Sequence, residues 1–297
     1  GPCVKYHSDE LNQWRTKVYS VLTIKITKVN KVQQMPMIAV KNKDSILYTN
    51  DVPEKPIVID SITLEDYINF HHIEYEILEG VYWNETTNKT MGTLIDKLFN
   101  ERLQAKKDKN IGLSNTLKLM MNSSYGKTIL KKSLTKKCII KNEKKDNFIC
   151  NNFHTIKQYR TISDKQTEVE HACIDDSFNR AHIGCAILSM SKRIMHEVID
   201  VANDNNLPIY YTDTDSLHMN FDDVKTLEYK YEQRFNKLLN GKNLEQFHTD
   251  FDLSGSVGEI RATTSIFLGK KSYLDVLESK DINGKTITGF HIRLKGI

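Results

Sequence analysis

The chain has 297 residues, and its 42 lysines and arginines exceed its 38 aspartates and glutamates by four, which gives a formal net charge of +4. Charged residues are 27% and hydrophobic residues 39% of the chain, and 13 glycines and 5 prolines are too few for a collagen-like or low-complexity polypeptide. No apolar run approaches the roughly 18 residues of a spanning helix, and no signal segment is present, so we predict an intracellular protein without a membrane partner. Five dispersed cysteines without a C-x-x-C pair predict neither a zinc site nor a disulfide framework.

The first 90 residues are expected to mix strands with a short helix. From Val18 to Ile26, apolar and polar residues alternate and β-branched residues are frequent, which predicts a strand. One or two helical turns are predicted over residues 63–68. Further short strands are predicted at Met37 to Val40, Ile46 to Tyr48, Ile57 to Ile59 and Ile73 to Trp83.

Two helices are predicted after Met91. Apolar residues recur at helical spacing from Met91 to Lys107, and a break at residues 107–112 separates them from a second helix. Because the break is short, we expect an antiparallel helical hairpin. The apolar positions of the second helix are Leu113, Leu117, Met120, Met121 and Tyr125.

The rest of the chain is predicted to begin with a β-rich insertion over residues 131–175. A long core helix follows at residues 180–202, where apolar residues step by three or four. Pro208 to Met219 has the pattern of a strand, an acidic turn and a second strand. A helical stretch near residues 227–239 and a hairpin of residues 273–277 against 287–294 complete the prediction.

Asp213 and Asp215 lie one residue apart in the acidic turn. Like charges at this spacing raise each other's pKa unless a cation neutralises them, and carboxylate oxygens are ligands that Mg²⁺ prefers. Turns are rich in aspartate, so for the pair alone an ordinary turn is the better explanation. The two apolar strands on either side favour a rigid hairpin tip and therefore the metal-site hypothesis.

Lys118, Asn122 and Tyr125 share one face of the second predicted helix, at spacings i, i+4 and i+7. A lysine ammonium can bind a triphosphate, and a nucleobase can stack on the flat tyrosine ring beside it. The alternative for this face alone is an ordinary amphipathic helix with an exposed lysine.

Taken together, these motifs resemble family B DNA polymerases. Residues 118–126, Lys-Leu-Met-Met-Asn-Ser-Ser-Tyr-Gly, are similar to the family's fingers motif, Lys-x-x-x-Asn-Ser-x-Tyr-Gly. Residues 211–216, Tyr-Thr-Asp-Thr-Asp-Ser, are similar to its palm motif, and residues 271–273, Lys-Ser-Tyr, resemble the Lys-x-Tyr motif that follows. The order agrees with the family. The long interval between the first two motifs is similar to that of the protein-primed branch, the polymerases of linear plasmids, bacteriophages and related viruses.

The resemblance implies a role for each matching residue. Asp215 would be the main metal ligand and catalytic residue, assisted by Asp213, in a site for two Mg²⁺ ions that Mn²⁺ can replace. Lys118 would bind the incoming triphosphate, while Asn122 and Tyr125 would line the nascent base-pair pocket.

Further contacts are implied outside these two motifs. Lys271 and Tyr273 would grip the primer terminus. Arg102 and Lys106, on the facing helix of the hairpin, would add nucleotide phosphate contacts, and no motif chooses between them.

One family motif is missing from the sequence. The other palm motif, Asp-x-x-Ser-Leu-Tyr-Pro, supplies the partner carboxylate for the metals, and Asp44 with the residues after it resembles this motif only faintly. We expect the motif just before Gly1, an exonuclease domain further upstream and a thumb downstream. Without them, residues 1–297 are expected to be inactive alone.

The resemblance implies an α+β fold with an antiparallel palm sheet, backing helices and helical-hairpin fingers. The expected division is residues 1–90 for the N-terminal part of the palm, 91–130 for the fingers, 131–175 for the insertion and 176–297 for the C-terminal part of the palm. The implied function is template-directed DNA synthesis in protein-primed replication of a linear viral or plasmid genome. The implied partners are primer–template DNA, dNTPs and a terminal priming protein, in the host cytoplasm, nucleus or an organelle.

Two other functions remain open at this point. The first is a degenerate palm that binds nucleic acid or nucleotide without catalysis, although such a module has no evident need for Asp213 and Asp215. The second is a reverse transcriptase or nucleotidyl cyclase on a similar palm, and both typically lack the helix motif at residues 118–126.

Overall fold

The computed structural model describes residues 2–43, 45–85, 89–130, 134–172 and 180–295. The chain forms two compact units, the first built from residues 1–86 and 188–297 and the second from residues 87–187. Helices and antiparallel sheets occur in both, so the predicted α+β class is confirmed. Asp44, the weak candidate for the missing carboxylate, lies outside the described residues.

The N-terminal segment of the first unit forms a four-stranded antiparallel sheet with the order β1-β6-β2-β5, and β3 pairs with β4 as a separate hairpin. The Asp60 side chain caps the α-helix that follows β5 by accepting a hydrogen bond from the Thr63 N–H at 2.7 Å, and a short 3-10 helix lies at Leu11–Thr16. The predicted strands are confirmed, and the helix is longer than residues 63–68. The elements are β1 (Val4–Lys5), β2 (Tyr19–Val29), β3 (Ile38–Lys41), β4 (Ile46–Thr49), β5 (Ile57–Asp60), α1 (Ser61–His71) and β6 (Ile73–Trp83).

The second unit contains the predicted helical hairpin, whose turn is three residues long, from Asp108 to Asn110. The segment predicted to be β-rich forms a three-stranded antiparallel sheet with the order β7-β9-β8. It also contains a helix, α4, that was not predicted, because a helix of eight residues is too short to show a repeating apolar pattern. The elements are α2 (Thr90–Lys107), α3 (Ile111–Gly126), β7 (Thr135–Lys141), α4 (Lys145–Asn152), β8 (Ile156–Ser163) and β9 (Gln166–Ala172).

The remaining elements begin with a 24-residue helix that starts in the second unit and ends in the first. Two hairpins follow in the first unit, and the second belongs to a three-stranded antiparallel sheet with the order β12-β13-β14. Its first strand, β12, was not predicted. The elements are α5 (Ala181–Asp204), β10 (Ile209–Asp213), β11 (Ser216–Met219), α6 (Val224–Phe235), β12 (Arg261–Gly269), β13 (Ser272–Lys280) and β14 (Thr286–Leu294).

The main core of the first unit lies between the four-stranded sheet and its helices. Leu22 and Ile24 of β2 are fully buried, and they belong to one apolar cluster with Leu64 of α1 and Val198 of α5. Burying such a side chain contributes roughly 1.5–3 kcal/mol, so this cluster is the main stabilising feature of the unit.

The apolar stripe of α5 is only partly in the core, which corrects the prediction of a core helix over its whole length. Val198 and Val201 are buried, whereas Ile183, Ile187 and Met190 are 40–54% exposed. The reason is that the core cluster contacts only the last turns of the helix.

No described helix is long and apolar enough to cross a membrane. None of the four cysteines that the structure describes forms a disulfide: Cys3, Cys138, Cys150 and Cys185.

Candidate functional site

Asp213 and Asp215 lie at the tip of the β10–β11 hairpin. Asp213 pairs with Ser216, which leaves Thr214 and Asp215 as a two-residue loop. Thr214 has a φ of 60°, and the Asp215 N–H donates to the Asp213 carbonyl at 2.7 Å. A β-branched residue is rare in the left-handed region and is strained there, and such strain concentrates at functional sites. The tight turn holds the two carboxylates on a fixed backbone.

The two acids differ in their electrostatic partners. Asp213 Oδ1 accepts hydrogen bonds from Lys271 Nζ at 2.7 Å and from the Thr214 hydroxyl at 3.0 Å. The hydrogen bond from Lys271 lowers the pKa of Asp213, and the same bond raises the pKa of Lys271. Asp215 is exposed, and no hydrogen bond to its carboxylate occurs among the described residues. One acid is therefore neutralised internally, while the other is available to a ligand.

The donor chemistry fits part of a Mg²⁺ site. Asp215 offers two carboxylate oxygens, and Asp213 keeps Oδ2 outside its contacts with Lys271 and Thr214. Across the described ranges, no group of three or more His, Cys, Asp and Glu residues is placed to hold a metal. Mg²⁺ is usually bound by one or two carboxylates together with water and substrate phosphates, so the acid pair suits an ion that arrives with a substrate.

The hairpin that carries the acids presents a different face to each neighbouring layer. Ile209, Leu217 and Met219 pack in or against the main core. The strand register shifts between Ile209 and Tyr211, so Tyr211 and its cross-strand partner His218 lie on the opposite face. A bulge at this position therefore lets one short hairpin contact the main core and the β12–β14 sheet.

Aromatic contacts join the hairpin to the β12–β14 sheet. The Tyr211 ring stacks on Phe267 with centroids 4.9 Å apart and an interplanar angle of 7°, and it lies 5.2 Å from the Tyr273 ring. The Tyr211 hydroxyl accepts the Lys271 N–H at 2.8 Å. Lys271 has a φ of 58° in the turn between β12 and β13. The structure thus brings Lys271 and Tyr273 beside the acidic hairpin.

Within this cluster, the predicted primer-grip residues differ in accessibility. Tyr273 is 6% exposed, and burial raises its pKa. Lys271 is more exposed and has its ammonium on Asp213. Of the two, Lys271 has the side chain that is more accessible to a ligand.

Lys118, Asn122 and Tyr125 follow one face of α3 in the second unit. Lys118 and Asn122 are exposed, and Tyr125 is half-buried. Leu117, one residue from Lys118, is buried in a small cluster with Leu98 and Ala105 of α2. The face of α3 that carries Lys118, Asn122 and Tyr125 therefore lies next to the contact between α2 and α3.

Arg102 and Lys106 lie one turn apart on α2 of the same unit. Lys106 is exposed, whereas Arg102 is half-buried, and its Nε is buried without a hydrogen-bond partner among the described atoms. A buried N–H without an acceptor is costly, and this distinguishes Arg102 from the exposed Lys106.

Three residues near the acids were not predicted as part of the site: Tyr211, His218 and Asp275. His218 lies two residues after Ser216, the last residue of the palm motif. It stands between Leu217 and Met219, and alternation along a strand places its side chain on the face opposite theirs. Asp275 has no local signal beyond its place in a predicted strand.

Comparisons with known proteins address the family and the fold. The family described as DNA polymerase type B, organellar and viral, matches residues 1–205. A search of curated proteins finds no match.

Solved structures of Phi29 DNA polymerase are similar over the whole chain. The orthorhombic crystal form has a TM-score of 0.59 at 18% identity, and this chain covers 47% of that protein. A ternary complex with primer–template DNA and incoming nucleotides has a TM-score of 0.62 at 18% identity and 47% coverage. A binary complex with primer–template DNA has a TM-score of 0.61 at 17% identity and 46% coverage. The chain thus spans about half the length of these proteins, and the likeness confirms the predicted fold of palm and helical-hairpin fingers.

Proposed function

Because this chain belongs to the type B DNA polymerases of organelles and viruses, we propose that it is the palm and fingers of an enzyme that performs template-directed DNA synthesis. The observation that carries the proposal is the acidic hairpin. Its tip holds two carboxylates, one paired with Lys271 and one without a hydrogen-bond partner among the described residues.

Asp215 and Asp213 have the roles of metal ligands in this proposal. Two Mg²⁺ ions, or Mn²⁺ in their place, supply charge stabilisation at the primer 3′ oxygen and at the departing pyrophosphate. Asp215, exposed and without a partner, is the main ligand. Asp213 assists from a position that the ion pair with Lys271 holds fixed. The acids hold charge in place and do not carry protons.

Lys271 and Tyr273 position the primer terminus. Lys271 follows a tight turn, and both its backbone N–H and its ammonium already contact the hairpin, through Tyr211 and Asp213. This ammonium lies beside Asp213, where it can contact a primer phosphate near the acids. Tyr273 supports the position of Tyr211 by ring contact. The effect is to align the 3′ oxygen, and a misplacement of about 1 Å can cost roughly a hundredfold in rate.

The α2–α3 hairpin binds the incoming dNTP. Lys118 contacts the triphosphate, and Arg102 or Lys106 on the facing helix adds a second phosphate contact. Asn122 and Tyr125 lie one and two turns further along the same face and line the pocket of the nascent base pair. Their roles come from the motif at residues 118–126.

The proposed partners are primer–template DNA and dNTPs. Both occur in the complexes of Phi29 DNA polymerase that share the fold. The long interval between the two motifs supports protein-primed replication of a linear viral or plasmid genome with a terminal protein, inside the host cell.

A second candidate function is a palm that binds DNA or nucleotide without catalysis. Its support is that no third carboxylate joins Asp213 and Asp215 in the part of the chain that the structure describes. The two functions differ in one outcome, since a binding module retains DNA affinity and never extends a primer.

The experiment that separates them is primer extension by the full-length protein with Mg²⁺. We expect Asp215→Ala to abolish synthesis and Asp213→Ala to reduce it less, while gel-shift affinity for primed template stays within a few-fold. Asp222→Ala, which removes an exposed aspartate from the short 3-10 helix Phe221–Asp223 after β11, is the matched control. Synthesis by Asp215→Ala within a few-fold of wild type would overturn the assignment.

A further inference from the structure

Asp275 is a fully buried carboxylate beneath the acidic hairpin, and no motif gives it a role. It lies in the middle of β13 with 0% exposure. Its Oδ1 accepts the Ser265 hydroxyl at 2.6 Å, and its Oδ2 accepts His291 Nδ1 at 3.1 Å and His218 Nε2 at 3.4 Å. Both carboxylate oxygens are therefore hydrogen-bonded inside the protein.

Stability alone does not account for a carboxylate at this position. Removing a charge from water costs several kcal/mol, and well-packed apolar residues often serve the fold equally well. Neighbouring rings already form an apolar setting, since Phe267 and Tyr273 pack around the His218 ring with centroids 5.1 and 5.0 Å away. A Leu side chain would fill the space of Asp275 but could not accept a hydrogen bond.

His218 is the contact that links Asp275 to the hairpin. It lies on β11, three residues after Asp215 and directly opposite Tyr211. Its Nδ1 is buried without a partner among the described atoms. An unpaired nitrogen lone pair costs less to bury than an unpaired N–H, so we assign the tautomer with hydrogen on Nε2, which donates a hydrogen bond to Asp275.

The position of the hairpin depends on contacts of this kind. Within the described chain, β10 and β11 form a two-stranded sheet and pair with no third strand. A two-stranded hairpin is marginally stable alone, so side-chain contacts fix its place. On the face toward the β12–β14 sheet, these contacts come from Tyr211, His218 and the Lys271–Asp213 ion pair.

We propose that Asp275 is a positioning residue for the acidic hairpin. By accepting a hydrogen bond from the His218 Nε2–H, it fixes the tautomer and orientation of that ring, and through β11 it sets Asp213 and Asp215 relative to Lys271 and Tyr273. Asp275 itself touches no reacting group. The effect on catalysis rests on the proposed function, whereas the tautomer of His218 does not.

The first test is spectroscopic and needs no activity. In ¹⁵N-labelled full-length protein, two-bond ¹H–¹⁵N spectra of the histidine rings should show His218 as the Nε2–H tautomer, and Asp275→Leu should change its shifts. Assignment uses His218→Gln, which removes the signal. An Nδ1–H tautomer in the wild type, or unchanged His218 shifts in Asp275→Leu, would overturn the proposal whatever the enzyme does.

The second test is kinetic and uses matched variants. His218→Leu and Asp275→Leu should each lower kcat for primer extension by roughly a hundredfold, with the dNTP KM changed less than about threefold. The double variant should be no worse than either single one, because both remove one interaction. His218→Gln, whose amide N–H can replace the Nε2 donor, should recover most of the rate.

Ser265→Ala separates positioning from a structural role. It also removes a hydrogen bond to Asp275, but Ser265 contacts the carboxylate from β12 and not from the hairpin. A rate near wild type for Ser265→Ala beside a large loss for His218→Leu supports positioning. Equal losses of rate and thermal stability in the two variants would show that Asp275 only stabilises the sheet.

These tests fail separately from the proposed function. If the wild type does not extend a primer, the proposed function fails, and the spectra alone decide on the Asp275–His218 contact. If the wild type extends a primer and Asp215→Ala does not, full activity in folded His218→Leu rejects the positioning role.

Discussion

Replacing Arg193 by Met should destabilise the first unit by about 3 kcal/mol. Asp66 of α1 is 1% exposed, and it accepts hydrogen bonds from Arg193 Nε at 2.5 Å and His196 Nδ1 at 2.9 Å. Removing one partner of a buried ion pair typically costs about 3–5 kcal/mol, because an uncompensated charge remains. We expect the lower end, because His196 still donates to Asp66 and Arg193 itself is partly exposed.

The assay is urea unfolding followed by tryptophan fluorescence. Trp14 and Trp83 both lie in the first unit, so the signal reports the unit that contains the pair. Asp66→Leu combined with Arg193→Met should recover most of the loss, because an apolar pair leaves no buried charge. Arg261→Met is the control: it breaks an exposed ion pair with Glu278 and should cost at most about 1 kcal/mol. A cost below about 1 kcal/mol for Arg193→Met would refute the reasoning.

Three further predictions concern the site. Lys118→Ala should raise the KM for all four dNTPs alike in steady-state kinetics, by a factor that corresponds to a loss of about 1.5–3 kcal/mol of binding free energy. A change that depends on the base would contradict a phosphate contact. Lys271→Met should raise the pKa of Asp213, whose depression comes mainly from that hydrogen bond, and should remove stability that is present above the unfolded pKa and lost as pH falls through the folded pKa. The thermal unfolding temperatures of the wild type and Lys271→Met should therefore differ at neutral pH and converge in acid. A difference in unfolding temperature that does not change with pH would exclude the Lys271–Asp213 ion pair as its source. Residues 1–297 alone should show little primer extension with Mg²⁺ or Mn²⁺, because Asp213 and Asp215 lack a third carboxylate among the described residues, and robust synthesis would make Asp44 the first residue to mutate.

Elements with a strong local pattern could be predicted from the sequence. Strands β2 and β6 alternate because one face of their sheet is buried, and the α2–α3 hairpin has clear helical spacing. Strand β12 was missed because Thr263, Thr264 and Ser265 interrupt its apolar pattern, and its pairing with β13 is what makes it a strand. The apolar stripe of α5 predicted burial along its whole length, but a periodic pattern does not show where the partner layer ends.

For the site, the motifs located the acids but not their partners. Asp213, Asp215 and Lys271 follow from motif residues alone. The ion pair between Lys271 and Asp213 requires the β12–β13 turn to pack on the hairpin, and that contact joins residues 58 positions apart. Asp275 and His218 are 57 positions apart, so no local periodicity relates them. Long-range packing decides which polar side chains meet, and a single sequence does not encode it in a local pattern.

The most direct test of the proposed function is single-nucleotide incorporation by the full-length protein on four primed templates that differ only in the first unpaired base. With Mg²⁺, each template should accept mainly the complementary dNTP, and Asp215→Ala should give only background with all four. Extension that ignores the template base, or complementary extension that survives Asp215→Ala, would contradict template-directed synthesis at the acidic hairpin.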